Sequence, residues 1–378
     1  MKKKKKNKII ILILIVFFMI IGILAGSYFF VKSELRPAKA FIEGQICGEE
    51  AAPCEVTPFV IDEGIYGKAV LDKLEAEGII RNSQLAYYYN RIFTGYSFPA
   101  GYFEIPHQID GQNIDLKGVM AFLSDPKNAH QDTVTISFKE GGLLREYAKQ
   151  IGEATTVSYN EILDYWNDEN VVRGYMNEYP FLTEEIFQEN VRFLLEGYLF
   201  PDTYEFFEYT SCDEITRKML DQTNAIYQKY RNDFAESEFS VHEIFTLASI
   251  VQGETGNIDD APLVAGVFVD RYNAPEVMAS TVTSCYAFDL TKQECDEIGE
   301  GLDYTQQYDP YNTYTIMGFP PGPVNNPNEV SIAAALHPDT SEGYFYFCAN
   351  YCDGGTVFAR TLSEHMANIK RYMNACLD

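Results

Sequence analysis

The sequence predicts an α+β protein with a single N-terminal transmembrane helix, and three observations support this. A charge-free apolar stretch follows a basic N-terminus. A strand–helix–helix–strand pattern covers residues 58–106, and residues 107–378 mix amphipathic helices with short strands. With 378 residues, 46% of them hydrophobic and 22% charged, the chain is long and apolar enough to form two or three folded units.

The N-terminus predicts a signal anchor. Residues 1–8 form a basic tail in which positions 2–6 and 8 are lysines, and residues 9–31 carry no charge. That stretch reaches the roughly 20 apolar residues needed to cross a bilayer. A cleaved signal peptide has a shorter apolar core and a small-residue cleavage site, which Lys32, Ser33 and Glu34 do not provide. By the positive-inside rule, we expect a single-pass cell-membrane protein with a cytoplasmic N-terminus and everything after Val31 outside.

Charge and cysteine content narrow the partners and the compartment. The formal net charge of −26 excludes nucleic acid, whose phosphates require Lys and Arg. All eight cysteines follow the apolar stretch, and an even number outside the cytoplasm suggests disulfides. Nearness in sequence suggests a pairing hypothesis: Cys47–Cys54, Cys285–Cys295, Cys348–Cys352 and, as the remaining pair, Cys212–Cys376. A zinc site is the alternative, but Cys348 and Cys352 lack a second well-spaced pair.

The elements follow in order along the chain. Residues 32–57 are predicted to be a stalk. The unit at 58–106 is predicted to contain a strand at 59–61, helices at 66–78 and 82–92, and a strand at 102–106. Further helices are predicted at 116–123, 142–151, 159–166, 216–234 and 331–336, a strand at 133–138, and a hairpin of 344–347 with 356–358. We expect the lone Trp166 in the core.

The stretch 240–273 predicts two helices and a candidate acid. Ser240 and Glu243 form a capping-box pattern ahead of an apolar run on one helix face. Glu254 falls on that face by spacing, and Thr255-Gly256 ends the helix. A second helix begins around Pro262; its predicted inner face is Leu263, Val264, Val267 and Phe268.

A carboxyl group on an apolar helix face suits general acid catalysis. Desolvation disfavours the ionised form, which leaves a proton available near neutrality. The alternative is that Glu254 turns outward at the helix end and is solvated, and helix phase near a terminus leaves both possibilities open.

Residues 248–255 (ASIVQGET), residues 262–268 and Arg271 resemble the core motif of the endolytic murein transglycosylases, the MltG or YceG-like family. That motif reads A-S-I-[IV]-E-x-E-T, followed by an A-[SG]-V-F-x-N-R-L helix. Its second Glu is the family's catalytic acid and matches Glu254. The first Glu is here Gln252, and the Asn before Arg is here Asp270.

Three other stretches extend the resemblance, which runs from about Phe59 to Tyr372. Residues 194–206 (LLEGYLFPDTYEF) contain Glu196 and Asp202, carboxylates that would either orient substrate or stabilise the turn. Residues 309–328 (DPYNTYTIMGFPPGPVNNPN) predict an ordered loop suited to a carbohydrate groove. Residues 278–286 (MASTVTSCY) have Ala279 and Thr281 where the family has Gln and Asp.

The resemblance also implies the domains. Residues 58–106 resemble the family's LysM-like subdomain, implying contact with glycan strands, although a spacer role is an equal alternative. Residues 107–378 would be the YceG-like catalytic domain. His365 matches the family's terminal His, for which a structural role is the favoured interpretation.

The resemblance implies an endolytic lytic transglycosylase that cleaves MurNAc–GlcNAc bonds within peptidoglycan and leaves 1,6-anhydromuramoyl ends. Glu254 would serve first as acid and then as base, without metal or cofactor. The implied glycan-holding residues are Asn312 and Tyr314, then Tyr311, Ser280 and Thr283, with Glu196 and Asp202 as additional carboxylates. The family also implies termination or trimming of nascent strands beside the cell-wall synthases.

Two alternatives remain open. Gln252, Ala279 and Thr281 favour a catalytically impaired, membrane-anchored peptidoglycan-binding or scaffold protein. A hydrolytic muramidase would need a second carboxylate, for which Glu196 or Asp202 is the candidate.

Overall fold

The computed structural model describes residues 26, 31–42, 55–62, 64–109, 111–274, 276–298, 308–352 and 354–374. The predicted basic tail, nearly all of the predicted span at 9–31, and Cys47, Cys54 and Cys376 lie outside these residues. Within the described ranges, we find no helix with the length and hydropathy of a membrane span.

The chain divides into two compact units, Met1–Asp132 and Thr133–Asp378. Both mix helices with two-stranded antiparallel sheets, so the protein is α+β. The first unit extends beyond residue 106, where the sequence pattern ended, because the helix at Leu116–Ser124 packs into its core.

The first unit has the predicted strand–helix–helix–strand order. Strand β1 pairs with β2 in antiparallel register, with Phe59 opposite Phe103, and both rings are buried. The LysM-like identity of this unit stays a prediction. Its elements are α1 (Lys39–Ile42), β1 (Val56–Ile61), α2 (Lys68–Ala76), α3 (Ser83–Tyr89), a π-helical turn (Asn90–Thr94), β2 (Gly101–Pro106), β3 (Gln108–Ile109), β4 (Gln112–Asn113) and α4 (Leu116–Ser124).

The second unit has eleven described α-helices and four strands. The helices are α5 (Leu144–Ala154), α6 (Tyr159–Trp166), α7 (Glu169–Tyr175), α8 (Cys212–Lys229), α9 (Arg231–Glu236), α10 (Val241–Glu254), α11 (Ala261–Asn273), α12 (Thr281–Ala287), α13 (Lys292–Ile298), α14 (Glu329–Leu336) and α15 (Leu362–Asn368). The strands are β5 (Thr133–Ser137), β6 (Thr203–Phe207), β7 (Tyr346–Ala349) and β8 (Thr356–Ala359). Strand β5 pairs with β6, and β7 with β8.

Helix α10 lies at the centre of the second unit and packs against α11, α12 and α14. It is buried on nearly all sides, so the single apolar face predicted for it is too narrow. Its buried hydroxyls are satisfied locally: Thr246 donates to the His242 carbonyl at 2.8 Å, and Ser249 donates to the Thr246 carbonyl at 2.7 Å. Trp166 is fully buried in the same core, as predicted.

Two helical predictions need correction. The helix predicted at 216–234 begins earlier, because Ser211 caps α8 at the Glu214 amide, and it is interrupted at Tyr230. Helix α12 was not predicted, since its hydroxyl-rich sequence has weak helix propensity. Burial of its last five residues holds it in place.

The cysteine hypothesis is partly right. Cys285 and Cys295 form the predicted disulfide. Cys348 is a buried thiol, so the predicted Cys348–Cys352 pair is wrong. The predicted Cys212–Cys376 pair includes Cys376, which lies outside the described residues. Cys352 is disulfide-bonded.

Candidate active site

Glu254 is the last residue of α10. The capping box predicted at Ser240 and Glu243 is formed, with both of its hydrogen bonds present. The helix ends at Thr255, whose amide donates to the Val251 carbonyl at 2.9 Å. The Glu254 side chain is half-buried. It is therefore neither fully buried on the apolar face nor fully solvated, the two possibilities that the sequence left open.

Close packing of α12 brings its N-terminus to the carboxylate of Glu254. A Cβ atom at Gly253 would lie 2.6 Å from the Val282 side chain, so glycine permits this approach. The Ser280 hydroxyl donates to Glu254 Oε1 at 2.7 Å, and the Val282 amide donates to the same oxygen at 3.4 Å. Both donors fix one carboxylate oxygen and thereby orient the group.

The turn that carries Ser280 is held from two sides. Ala279 has a φ of +50°, a left-handed conformation that is unfavourable for a residue with a Cβ. Its amide donates to the Thr313 carbonyl at 3.1 Å, and the Ser280 amide donates to Thr313 Oγ1 at 3.0 Å. The Arg271 guanidinium also donates to the Met278 carbonyl.

Arg271 and Tyr314 lie within electrostatic reach of Glu254. Burial lowers the pKa of Arg271, while the negative charge of Glu254 acts in the opposite direction. Burial raises the pKa of Tyr314, and Glu254 adds to this rise, so the phenol stays neutral. The Tyr314 hydroxyl lies 3.4 Å from that of Thr281. The site therefore combines one carboxylate, one guanidinium and a group of neutral hydroxyls.

Arg271 also connects the site to the terminal helix. Its Nε donates to the Phe345 carbonyl at 2.7 Å, and its guanidinium lies 5.4 Å from the Tyr346 ring. His365 stacks on Tyr346 at 5.2 Å, and burial lowers its pKa. A structural role for His365, through the Tyr346 ring, agrees with this geometry.

The side chains predicted to hold glycan are mostly buried. Asn312 is completely buried, and its Oδ1 accepts a hydrogen bond from Ser284 at 2.9 Å. Tyr311 is buried against Tyr286, and the Thr283 hydroxyl lies 2.7 Å from that of Thr313. Ser280 is buried as well. The described contacts of these residues support the loop, and Tyr314 is the most exposed of the predicted glycan-holding side chains in it.

A pocket of about 490 Å³ lies at the opposite end of α10. His242, Glu243 and Thr246 line it from the helix, and the 309–328 loop contributes Phe319 among others. With a rise of about 1.5 Å per residue, the His242 end of α10 is roughly 18 Å from Glu254 along the helix. The predicted loop therefore lines this pocket at one end of the helix and, through Thr313, supports the turn that orients Glu254 at the other.

Glu196 is held inside the protein and does not reach the surface. Its carboxyl group is 2% exposed and accepts from the Leu144 amide at 2.8 Å and from Asn326 Nδ2 at 3.3 Å. The Tyr286 hydroxyl lies 3.3 Å from it. Burial raises the pKa of Glu196 to about 8. A structural role follows from these contacts.

Asp202 is exposed and stabilises a turn. Its Oδ1 accepts from the Thr203 amide at 2.7 Å, directly before β6 begins. This contact matches the turn-stabilising alternative that the sequence left open for it.

Comparison with known proteins identifies the family. The family model described as YceG-like family matches residues 59–371. This chain belongs to the YceG-like family. Curated relatives include an endolytic murein transglycosylase of Bacillus subtilis (strain 168), 29% identical over 93% of this chain and 92% of the relative. Another, from Streptococcus pneumoniae serotype 2 (strain D39), is 25% identical over 84% of this chain and 58% of the relative.

A solved structure is also similar to this YceG-like chain. The crystal structure of a yceG-like protein from Listeria monocytogenes matches with a TM-score of 0.56 and 26% sequence identity. The match covers 83% of this chain and 99% of that one.

The structure gives a physical account of one departure from the family motif. Gln252 Oε1 accepts from the Asn328 amide at 2.9 Å and from the Ser331 hydroxyl at 3.0 Å. Either a carboxylate or an amide oxygen can accept both bonds. In this YceG-like protein, Gln252 therefore connects α10 to the start of α14 without needing a charge.

The sequence did not single out two supporting residues of the site. Thr313 aligns Ser280, and Asn326 accepts from the Gly197 amide at 3.0 Å as well as donating to Glu196. Both lie within the 309–328 motif, which was the available signal. Their roles depend on contacts with distant segments, which no local pattern reveals.

Proposed function

We propose that this YceG-like protein is an endolytic peptidoglycan lytic transglycosylase with Glu254 as its catalytic acid and base. The observation that carries the proposal is the carboxylate of Glu254, oriented by the Ser280 hydroxyl at the half-buried end of a helix. The curated relatives named endolytic murein transglycosylases support the reaction class.

The orientation of the carboxylate suggests the proton's position. Because Ser280 and Val282 both donate to Oε1, that oxygen acts as an acceptor, and the acidic proton of the neutral form belongs on Oε2. Glu254 would deliver this proton to the glycosidic oxygen between MurNAc and GlcNAc. The breaking C1–O bond leaves positive charge on the sugar, which the resulting Glu254 carboxylate stabilises.

The second step returns the proton to Glu254. The C6 hydroxyl of the muramoyl residue attacks C1 and gives its proton to the Glu254 carboxylate, which closes the 1,6-anhydro ring. This attack is intramolecular, so a correctly held sugar takes the place of an activated water. One carboxylate serves both steps, and the carboxyl group is regenerated in its protonated form.

Arg271 would stabilise the negative charge that Glu254 carries between the two proton transfers. Its guanidinium is in electrostatic contact with Glu254 and is fixed by the Met278 and Phe345 carbonyls. Tyr314 would contact the glycan, since it is neutral, half-buried and near Glu254. The 309–328 loop and the carboxylate of Glu254 would be held in position by Asn312, Tyr311, Thr283 and Ser280.

The contacts of Glu196 argue against its serving as the second carboxylate of a hydrolase. A hydrolase needs a second carboxylate across the sugar from the acid. Glu196 is bonded to Leu144 and Asn326 inside the protein and is protonated near neutrality. It is unsuited to activating a water at the surface.

We propose that residues 9–31 anchor the protein in the cell membrane, with a cytoplasmic N-terminus and the rest outside. The charge-free stretch behind a lysine block supports this topology. There the enzyme would end or trim nascent strands, and the first unit would contact glycan as a LysM-like subdomain. Cell-wall synthases are the partners that this role implies.

Glu254→Gln tests the proposal. The full chain in detergent is incubated with isolated peptidoglycan, and soluble fragments are separated by chromatography. We expect the variant to release none while still sedimenting with the insoluble wall. Glu276→Gln, which removes an exposed carboxylate on the segment between α11 and Ser280, is the matched control and should cleave normally. A wild-type chain that binds the wall without cleaving it would support the scaffold alternative.

A further inference from the structure

The first unit has a pocket of about 520 Å³ directly after the predicted membrane span. One wall is formed by Val31, Lys32, Leu35 and Arg36. These residues share a helical turn, in which the Leu35 amide donates to the Val31 carbonyl at 3.0 Å. Lys32 and Leu35, three residues apart, lie on the same face of that turn. Arg36 follows in a bend, where its amide donates to the Ser33 carbonyl at 3.3 Å.

The opposite wall adds charge and an aromatic ring. It contains Lys117, Leu116, Asp115 and Tyr89. The Asp115 carboxylate caps α4, accepting from the Gly118 amide at 2.7 Å. Three basic side chains, Lys32, Arg36 and Lys117, thus line one pocket in a chain whose formal net charge is −26. A pocket with basic and apolar walls suits an anion attached to a hydrocarbon.

An exposed apolar tip adjoins the pocket. The Tyr89 ring lies 5.2 Å from that of Phe93 in the π-helical turn after α3. Phe93 is 71% exposed and Ile92 is 68% exposed. Asn90 fixes the turn, because its Oδ1 accepts from the Tyr96 amide at 2.8 Å and from the Thr94 hydroxyl at 2.6 Å. Neighbouring large apolar side chains held out toward solvent on a fixed turn indicate an interaction surface.

The position of the pocket along the chain indicates which kind of partner it binds. The predicted span ends at Val31, and Arg36 follows it by five residues, a helical turn and a bend; at the helical rise of about 1.5 Å per residue this is at least roughly 7 Å. The headgroup layer of a bilayer extends about 5 to 7 Å beyond the hydrocarbon core. Arg36 therefore falls near the depth of the lipid phosphates, and the long side chain of Lys32 can extend to the same depth from closer to the hydrocarbon core.

We propose that this pocket binds the headgroup of an anionic phospholipid while Ile92 and Phe93 insert into the same leaflet. The inference rests on the membrane anchoring proposed above. It adds a second attachment beside the span, which would fix the first unit against the bilayer surface. The phosphate would contact Lys32, Arg36 and Lys117, and the lipid glycerol and upper acyl chain would lie against Leu35, Leu116 and Tyr89.

The experiment uses Phe93→Trp in the full chain, reconstituted into vesicles of equimolar phosphatidylcholine and phosphatidylglycerol. The wild-type chain, whose one tryptophan is the fully buried Trp166, supplies the background. We expect acyl-brominated lipid to quench the added tryptophan roughly two-fold or more, as for a side chain at the headgroup–acyl boundary. Flotation of the same vesicles on a density gradient reports membrane anchoring separately.

The charge-reversed variant tests the headgroup. Lys32→Glu, Arg36→Glu and Lys117→Glu together, added to Phe93→Trp, should shift the docked-to-undocked ratio by roughly 100-fold and abolish the quenching. Loss of quenching of the Phe93→Trp chain in vesicles of pure phosphatidylcholine would also support an anionic headgroup as the ligand. A chain that floats but shows no quenching would overturn the docking proposal and leave anchoring intact, whereas a chain that does not float would overturn both. Quenching that is indifferent to both charge changes would exclude the anionic headgroup as ligand.

Discussion

The Ser280 hydroxyl donates a 2.7 Å hydrogen bond to Oε1 of Glu254, joining the N-cap of α12 to the last residue of α10. The bond depends on the turn at residues 278–280, which is fixed by Thr313 and Arg271. The proposed acid is therefore oriented by a segment that lies far from it in sequence.

Ser280→Ala should slow cleavage without weakening glycan binding. A hydrogen bond to a charged group contributes about 1.5–3 kcal/mol, so we expect kcat to fall roughly 10- to 100-fold with KM little changed. Steady-state kinetics on defined glycan strands measure both constants. Ser284→Ala is the control for the surrounding network, because that hydroxyl donates to Asn312 and to the Ser280 carbonyl but not to Glu254, and we expect a smaller loss. Equal losses in the two variants would contradict a specific role for Ser280.

Glu196 should make stability depend on pH. Its pKa is about 8 in the folded protein against an ordinary value of 4.5, so the folded state keeps a proton that the unfolded state releases. The stabilising contribution is fully present below pH 4.5 and is lost as pH rises toward 8, at up to about 1.4 kcal/mol per pH unit.

Glu196→Gln isolates that contribution, because the amide resembles the protonated acid and can keep the bonds to Leu144 and Tyr286. Denaturant unfolding of the wild type and the variant between pH 4.5 and 8 gives the difference between their free energies of unfolding. We expect the variant to gain stability relative to wild type as pH rises. A difference that does not change with pH would mean that Glu196 is ionised when folded.

Gly197→Ala should destabilise the protein strongly. Gly197 has a φ of +86°, and a Cβ there would lie 2.3 Å from that of Pro323. Overpacking and left-handed strain together predict a loss of about 3 kcal/mol in the free energy of unfolding. Gly174→Ala is the matched control, since Gly174 lies in α7 with open space around it and should gain about 0.5–1 kcal/mol. Similar changes at both positions would refute the packing argument.

Gln252→Glu should be nearly neutral. A carboxylate can accept the same bonds from Asn328 and Ser331, so we expect the free energy of unfolding to change by less than about 1 kcal/mol. The cleavage rate should change by less than about five-fold. Thermal unfolding and initial rates check this. A rate increase of several orders of magnitude would instead show that Gln252 impairs the enzyme.

Local patterns predicted the fold better than the site. The capping box at Ser240, the strand–helix–helix–strand order of the first unit and the burial of Trp166 follow from short-range spacing, and the structure confirms them. The bond between Ser280 and Glu254 spans two helices, and α12 itself is held by burial rather than propensity. The sequence could therefore name Glu254 but not the residues that orient it.

Residue type also did not reveal which of the candidate glycan-binding side chains are buried. Asn312 and Tyr311 have side chains that suit a sugar, and the sequence motif favoured that role. In the structure both are inside, bonded to Ser284 and the Arg192 amide respectively. An amide or a phenol serves a buried network as well as a ligand, and tertiary contacts decide which.

Glu254 is proposed to catalyse an intramolecular cleavage. The most direct measurement is mass spectrometry of the fragments released from peptidoglycan in water enriched in oxygen-18, with Glu254→Gln alongside. We expect 1,6-anhydromuramoyl ends that carry no heavy oxygen and that are absent with the variant. Reducing ends that contain oxygen-18 would show hydrolysis and contradict it.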